Sequence, residues 1–360
     1  MKVVHFISGI KSGGVEQFLY NYTSRINNKY LIDEFIIYQH KANDVSLRKL
    51  EEAKNTCIRI PSKTKHPLKN LWDTYKILKK IDPDIVHAHM NLMNFFPLSI
   101  AFLLKIPVRI SHSHIATDNI SLKYLVPWFK KLNIKFSNAL FACGTLAGTY
   151  MYGRNKFRII PNAIDIEQYK YSFSDRVNLR RKYNVSDNDI IIGNVGRLTK
   201  QKNQLFLIKI FNEYVKENKH AKLFIIGGGE LRGKLEKQIE LYGVKDKVLL
   251  IHPVKNVAKY YSMMDLFLLP SLYEGFPVSA IEAQASGLPC YMTNTIDHEA
   301  KMSSYSAFLS LDNLDNWVRI LSSRNKNRKE IDKSNLDKYN INIVYDDLFI
   351  AYADLLRKQS

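Results

Sequence analysis

The sequence predicts an α/β chain of two doubly wound, Rossmann-like domains built on parallel sheets. Three observations carry this expectation. Short apolar runs alternate with helical patterns, the series restarts midway, and 360 residues exceed one ordinary core. In the first half the strand runs are 3–7, 35–38, 57–60, 85–88, 108–111 and 140–143. After the first run, Val15, Phe18, Leu19, Tyr22 and Ile26 recur at helical spacing. The second half repeats the pattern with runs at 190–195, 223–226, 248–251, 266–269 and 289–293. Pro161-Asn162-Ala163-Ile164-Asp165 punctuates the chain between the two series. The expected division is therefore 1–165 for an N-terminal domain and 166–342 for a C-terminal domain, both Rossmann-like. An amphipathic helix over 343–360 returns toward the N-terminal domain.

Composition narrows the class. With 46% apolar and 12% aromatic residues the chain can bury a sizeable core, and it shows no solenoid or propeller repeat. Cys57, Cys143 and Cys290 are scattered in apolar stretches and read as buried thiols in a reducing compartment. The first apolar run is too short for a signal peptide. The longest, 95–104, would span ~15 Å as a helix against a ~30 Å hydrocarbon layer. The expectation is a cytoplasmic protein that can sit at the inner face of the cell membrane. Residues 1–165 hold 24 Lys and Arg against 11 Asp and Glu, net +13, and the remainder supplies +6 of the total +19. Such a field suits phosphate-bearing substrates, anionic lipid or nucleic acid, although a lysine-rich background explains part of it.

Ligands of open α/β sheets bind beyond the carboxyl ends of strands, so the chemistry is sought there. Glu274-Gly275-Phe276-Pro277-Val278-Ser279-Ala280-Ile281-Glu282 follows the run 266–269. Pro277 suits a first helical turn, and Gly287 with Pro289 supplies a stop. The N–H groups and dipole of a helix start favour a diphosphate. Glu274, just before the helix, and Glu282, in its second turn, can address two parts of one ligand. Gly196-Arg197-Leu198-Thr199-Lys200-Gln201-Lys202-Asn203 directly follows the run 190–195. There Gly196 lets the backbone turn, and Arg197 and Lys202 offer two cations to a leaving diphosphate.

Gly13-Gly14 occupies the matching place after the first run, and Gly227-Gly228-Gly229 repeats it later. Neither a P-loop nor a dinucleotide fingerprint is present. Asp82-Pro83-Asp84 and Asp187-Asn188-Asp189 precede strands and read as solvated turns rather than metal ligands. His87, His89, His112 and His114 form two H-x-H pairs at the ends of neighbouring strands, each pair on one face. They are open to three readings: sugar or acceptor contacts, core or turn histidines, or zinc ligands lacking a completing cysteine or carboxylate.

Together these residues resemble the "glycosyl transferases group 1" family of retaining enzymes with the GT-B fold. The resemblance covers nearly the whole chain and is most specific from Gly193 to Glu299. Glu274 through Glu282 is similar to the family's E-x7-E motif, and Gly196-Arg197 with Lys202-Asn203 to its phosphate-binding stretch. By this resemblance Arg197 and Lys202 bind the donor diphosphate, and Glu274 contacts or orients the sugar. Glu282 accepts from the ribose, and Gly275, Phe276, Pro277 and Val278 cradle the phosphates. Gly14, with Gly196, belongs to the donor contacts, and His114, or else His112, stands beside the transferred sugar. His112, His89 and Gly13 are acceptor or sugar contacts. No cofactor and no metal are implied. The activity implied is retaining transfer of a hexose-type sugar from a nucleotide diphosphate, with UDP as default. The acceptor is a hydroxyl of a glycan or lipid-linked molecule in capsule, exopolysaccharide or wall-glycan synthesis. The family's glycine near His252-Pro253 is missing, as is its Gly pair before Glu299.

The stretch 121–138 interleaves Lys123, Lys130, Lys131 and Lys135 with Tyr124, Trp128, Phe129 and Phe136, which suits peripheral contact with an anionic membrane. It equally suits an amphipathic helix over the sheet, with Pro127 as an interruption. Rival readings are a nucleotide-sugar epimerase, a phosphorylase, an inactive glycan-binding partner subunit and a nucleic-acid binder. The retained glutamates and cations oppose the inactive subunit, and no nucleic-acid module is recognised.

Overall fold

The computed structural model describes every residue except 12, 118–122, 324–327, 329, 330 and 360. The chain divides into two compact units, Met1–Ile164 with Lys338–Ser360, and Asp165–Asp337.

The first unit holds β1 (Lys2–Phe6), β2 (Asp33–Tyr38), β3 (Thr56–Arg59), β4 (Ile85–Ala88), β5 (Val108–Ser113), β6 (Ala139–Ala142) and β7 (Arg158–Ile159). They form one parallel sheet in the order β3-β2-β1-β4-β5-β6-β7. Successive β-branched and aromatic residues face opposite sides, so both faces must be covered. On one face the helix Gly14–Lys29 lays Phe18, Leu19, Tyr22 and Ile26 on the sheet beside Leu348, Ala351 and Tyr352 of the helix Ile341–Arg357. The other face buries Val4, Phe6, Ile37 and Val86 under Leu78, Leu98 and Ala101. Strand order reverses beside β1, between β2 and β4, so the ends of β1, β4 and β5 meet where doubly wound sheets hold ligands.

The second unit repeats the design with β8 (Ile190–Val195), β9 (Ala221–Ile226), β10 (Val248–Ile251), β11 (Leu266–Leu269), β12 (Cys290–Thr293) and β13 (Ala307–Leu309). Their order is β10-β9-β8-β11-β12-β13, again parallel. Its core packs Leu207, Phe211, Tyr214 and Trp317 over Leu223, Ile225, Leu266 and Leu268. Strand order here reverses beside β8, whose end carries Gly196 and Arg197.

The three consecutive glycines after β9 have a packing reason. A Cβ on Gly227 would stand 2.0 Å from the Gly196 carbonyl oxygen, and one on Gly229 would stand 2.4 Å from that of Leu198. The two loops also share a hydrogen bond from Leu198 N–H to the Gly228 carbonyl, 2.9 Å. Gly227→Ala is therefore expected to destabilise the unit by about 2 kcal/mol or more, since backbone cannot yield as a side chain does. Gly228→Ala meets only Pro253 Cγ at 3.2 Å and should cost far less. Urea midpoints of the two variants check this contrast.

The helix Val126–Phe136 carries Pro127 in its first turn, where the missing N–H costs nothing, so Pro127 opens this helix instead of interrupting it. Tyr124 and Trp128 on this stretch are exposed. Residues 121 and 122 of the basic aromatic stretch lie outside the described residues. No helix among the described residues is long and apolar enough to cross a membrane.

Candidate functional site

In the second unit the predicted donor residues come from three loops at one sheet edge. Lys202 ends the short turn Lys200–Lys202, and its stem lies across Gly196. A Cβ there would meet Lys202 Cε at 3.1 Å. The Lys202 ammonium ends 2.6 Å from Glu274 Oε1, with both side chains largely buried. Gln201 Nε2 donates to the other oxygen of Glu274 at 3.2 Å and to the Tyr273 carbonyl at 3.0 Å. The Leu272 N–H donates to the Gln201 carbonyl at 2.8 Å, which ties the loop after β11 to the loop after β8. Gln204 Nε2 holds the Arg197 carbonyl at 2.9 Å. The Arg197 side chain itself is exposed, and among the described residues its guanidinium has neither an ion pair nor a hydrogen bond.

The helix Val278–Ala285 begins after Pro277, with no side-chain cap on its first N–H groups. Gly275, Phe276 and Pro277 are buried just before it, and Val278 is half-buried. Glu282, one turn in, is held at both oxygens: Tyr169 O–H donates to Oε1 at 2.8 Å and Tyr261 O–H to Oε2 at 2.7 Å. Burial raises the Glu282 pKa, while the two phenols and the Lys202 charge oppose the rise. The Lys202 charge thus bears on Glu282 and pairs with Glu274. Thr199 Oγ1 and Ser271 Oγ in the strand-end loops, and Ser279 Oγ in the first turn of the helix Val278–Ala285, are buried without hydrogen-bond partners. A free guanidinium, a lysine shared between two glutamates, an uncapped helix start and three idle hydroxyls form a set suited to a polyanion bearing hydroxyl groups.

In the first unit, Gly13 caps the helix that Gly14 opens, and a Cβ at Gly13 would meet Glu16 Oε2 at 2.7 Å. A Cβ at Gly14 meets nothing within 4 Å. One turn along, the Phe18 ring packs edge-on against His112 and His114, at 5.1 and 5.4 Å. The four histidines of the H-x-H pairs are buried, together with His5 of β1. His5 Nδ1 lies 3.1 Å from His89 Nε2, and His89 Nδ1 lies 2.9 Å from His114 Nε2. His87 Nε2 lies 3.0 Å from His112 Nδ1, and His87 Nδ1 lies 2.7 Å from the Tyr352 hydroxyl. Both ring nitrogens of His89 are thus taken by other histidines, leaving none for a sugar. His112 and His114 each keep one buried nitrogen without a directed hydrogen bond, Nε2 and Nδ1 respectively. Burial pushes the pKa of His87, His89 and His112 well down, and that of His114 to about 3. Two triads, His5-His87-His89 and His89-His112-His114, bring ring nitrogens within 4.8 Å of one another, close enough to hold a transition metal.

Sequence reasoning missed His5, Glu34, Gln201, Tyr169 and Tyr261. Gln201 lay inside the quoted motif. Tyr169 reaches Glu282 across 113 positions and left no local signal.

Comparisons with known proteins give the class of enzyme. "Glycosyl transferases group 1" matches residues 175–301 and "Glycosyltransferase Family 4" matches residues 12–168. EpsF of Bacillus subtilis (strain 168), a protein named as a glycosyltransferase, is 29% identical over 312 residues, covering 82% of this chain and 79% of its own length. The UDP-Gal:alpha-D-GlcNAc-diphosphoundecaprenol alpha-1,3-galactosyltransferase of Escherichia coli is 27% identical over 270 residues, covering 71% and 69%. Among solved structures, Anabaena Alr3699/HepE in complex with UDP-glucose superposes with a TM-score of 0.76 at 16% identity, over 100% of this chain and 98% of that one. WaaG, a glycosyltransferase involved in lipopolysaccharide biosynthesis, gives 0.66 at 15% identity, over 99% and 98%. The fold is GT-B, and the chain is a glycosyltransferase of the group 1 family.

Proposed function

We propose that the chain transfers a hexose-type sugar from a nucleoside diphosphate, UDP by preference, with retention and without metal. The acceptor is a hydroxyl of a glycan or lipid-linked molecule in cell-surface polysaccharide synthesis. The observation that carries this reading is the convergence of Arg197, Lys202, Glu274 and the uncapped start of Val278–Ala285 at one sheet edge. Solved HepE complexes hold UDP and glucose, and the E. coli relative is named for UDP-Gal and a diphosphoundecaprenol acceptor. Arg197 and Lys202 neutralise the diphosphate, Glu274 leaves its lysine to orient the sugar hydroxyls, and Glu282, steadied by two tyrosines, accepts from the ribose.

In this mechanism the acceptor hydroxyl attacks C1 from the face the diphosphate leaves. The C1–O bond to phosphate breaks, the new glycosidic bond forms, and a phosphate oxygen takes the hydroxyl proton. Positioning and charge compensation supply the acceleration. Incubation with UDP-hexoses and a membrane-derived acceptor, followed by linkage analysis of the product, tests the reaction. The chelator EDTA is expected to leave the rate unchanged. Full inhibition reversed by added metal would contradict metal independence and would turn attention to the histidine triads.

The chain is read as cytoplasmic, with peripheral docking at the inner membrane face through the basic aromatic helix Val126–Phe136. Trp128 is exposed there and Lys131 flanks its ring at 5.6 Å, while Lys130 is committed to Tyr150. Vesicles rich in anionic lipid should co-sediment the protein at low salt, and Trp128→Ser with Lys131→Ser should weaken this several-fold. Equal sedimentation of variant and parent removes the docking role.

A further inference from the structure

Beyond the ends of β2 and β3, the first unit has an open hollow of about 570 Å³, lined by His40, Lys41, Arg59, Lys65 and His66 around Ile60 and Pro61. Every charged group that bears on His40 is a cation: Lys63, Lys11, Arg59 and Lys65. Among the described residues none of these four side chains, nor that of Lys41, has a carboxylate partner, although the Lys11 backbone N–H donates to Glu16 Oε1 at 2.7 Å. Lys63 lies between the lining residues Ser62 and Lys65 without lining the hollow itself. Its ammonium is largely buried against neutral groups, with Gln39 Oε1 at 3.4 Å and Met90 Sδ at 3.7 Å. Burial alone pushes its pKa down to about 8. A desolvated ammonium is unfavourable unless an anion arrives beside it. The hollow lies at the carboxyl edge of the sheet, where α/β domains bind ligands.

We propose that this hollow binds the diphosphate of a lipid-linked acceptor, a site separate from the donor loops of the second unit. This deepens the proposed function, on which it rests. Histidine NMR gives the first test. Inorganic pyrophosphate should shift the His40 and His66 signals in the parent protein, and Arg59→Ala with Lys65→Met should abolish those shifts. Kinetics give the second. In the same double variant the KM for a polyprenyl-diphosphate-linked glycan should rise about tenfold or more, while the KM for the nucleotide sugar stays fixed. Pyrophosphate shifts with an unchanged acceptor KM would assign the hollow to free phosphate and overturn the lipid-linked source. Absence of shifts would overturn the anion site itself, whether or not sugar transfer is observed.

An independent observation concerns the histidines. A carboxylate can only accept, and Glu34 Oε1 stands 3.4 Å from His5 Nε2, both buried. The His5 proton then sits on Nε2, so His5 Nδ1 accepts from His89 Nε2–H, and His89 Nδ1 accepts from His114 Nε2–H. The chain of imidazoles ends at His114 Nδ1, which makes no directed hydrogen bond although the Asn162 side chain lies beside the ring. From these distances we infer that Glu34 is a positioning residue, which fixes the tautomer of His114 so that Nδ1 receives a hydroxyl of sugar or acceptor.

In ligand-free protein labelled with ¹⁵N-histidine, His5, His89 and His114 should each carry a proton on Nε2. Glu34→Leu should leave His114 divided between tautomers, and Glu34→Gln, whose carbonyl still accepts, should restore one. In Glu34→Leu kcat should fall on the order of tenfold with the nucleotide-sugar KM unchanged. A His114 carrying its proton on Nδ1 in the parent protein overturns the inference even if Glu34→Leu does not fold, and so does a stoichiometric bound metal.

Discussion

Arg197→Ala is expected to lower sugar transfer by about 10²-fold or more, because removing one preorganised charge-stabilising group costs ~2.7–4 kcal/mol of transition-state stabilisation. In the proposed reaction the leaving nucleoside diphosphate gains negative charge as its bond to C1 lengthens, and a guanidinium can meet two of its oxygens at once. Arg197 is exposed and has no internal partner among the described residues, so its removal leaves folding intact and the loss reads as catalysis. Glu274→Ala should lose as much activity, for a different reason: it removes the proposed sugar contact and also frees Lys202 from its 2.6 Å partner. The diagnostic is kcat measured beside urea midpoints. Arg197→Ala should change only the first, and a near-parental kcat would take Arg197 out of the site.

A second large effect is expected on acidification. His87, His89, His112 and His114 are buried and held neutral in the native state, each with its pKa lowered from 6.5. The unfolded chain takes up protons at these positions below pH 6.5, whereas the folded unit does not. Stability is therefore full above pH 6.5 and is lost as pH falls from there toward about 3, where His114 titrates in the fold. Each histidine contributes about 1.4 kcal/mol per pH unit over this window, or roughly 4–6 kcal/mol for the four at pH 5.5. That is a large share of the ~5–15 kcal/mol typical of folded domains. Urea midpoints of the parent at pH 7.5 and 5.5 check the size. His87→Gln, which removes one of the four titrating groups, should flatten the slope. An unchanged midpoint would show that these imidazoles charge within the fold.

Most of the architecture was legible because the sheet strands announce themselves as apolar runs between helical patterns. The runs at 85–88, 190–195, 248–251 and 266–269 coincide with β4, β8, β10 and β11. The two strands missed, Arg158–Ile159 and Ala307–Leu309, are edge strands of two and three residues, too short to display a period. In the donor loops the glycines, cations and glutamates could be read locally, because a strand end, a tight turn and a helix start each leave a mark within ten residues. What holds those groups could not. Tyr169 and Tyr261 meet Glu282 only through the fold, and the Lys202–Glu274 pair spans 72 positions. The histidines were visible as H-x-H pairs, but their connection needed His5 and Glu34 from two other strands. Sheet order alone brings those together.

The most direct test is calorimetric titration of UDP into the ligand-free protein, repeated with Arg197→Ala and with Lys202→Met. One UDP should bind per chain, and each substitution should weaken it by at least about tenfold, since each removes a charge-assisted contact to phosphate. Equal affinity in all three proteins would place the diphosphate elsewhere and contradict the site described for the second unit.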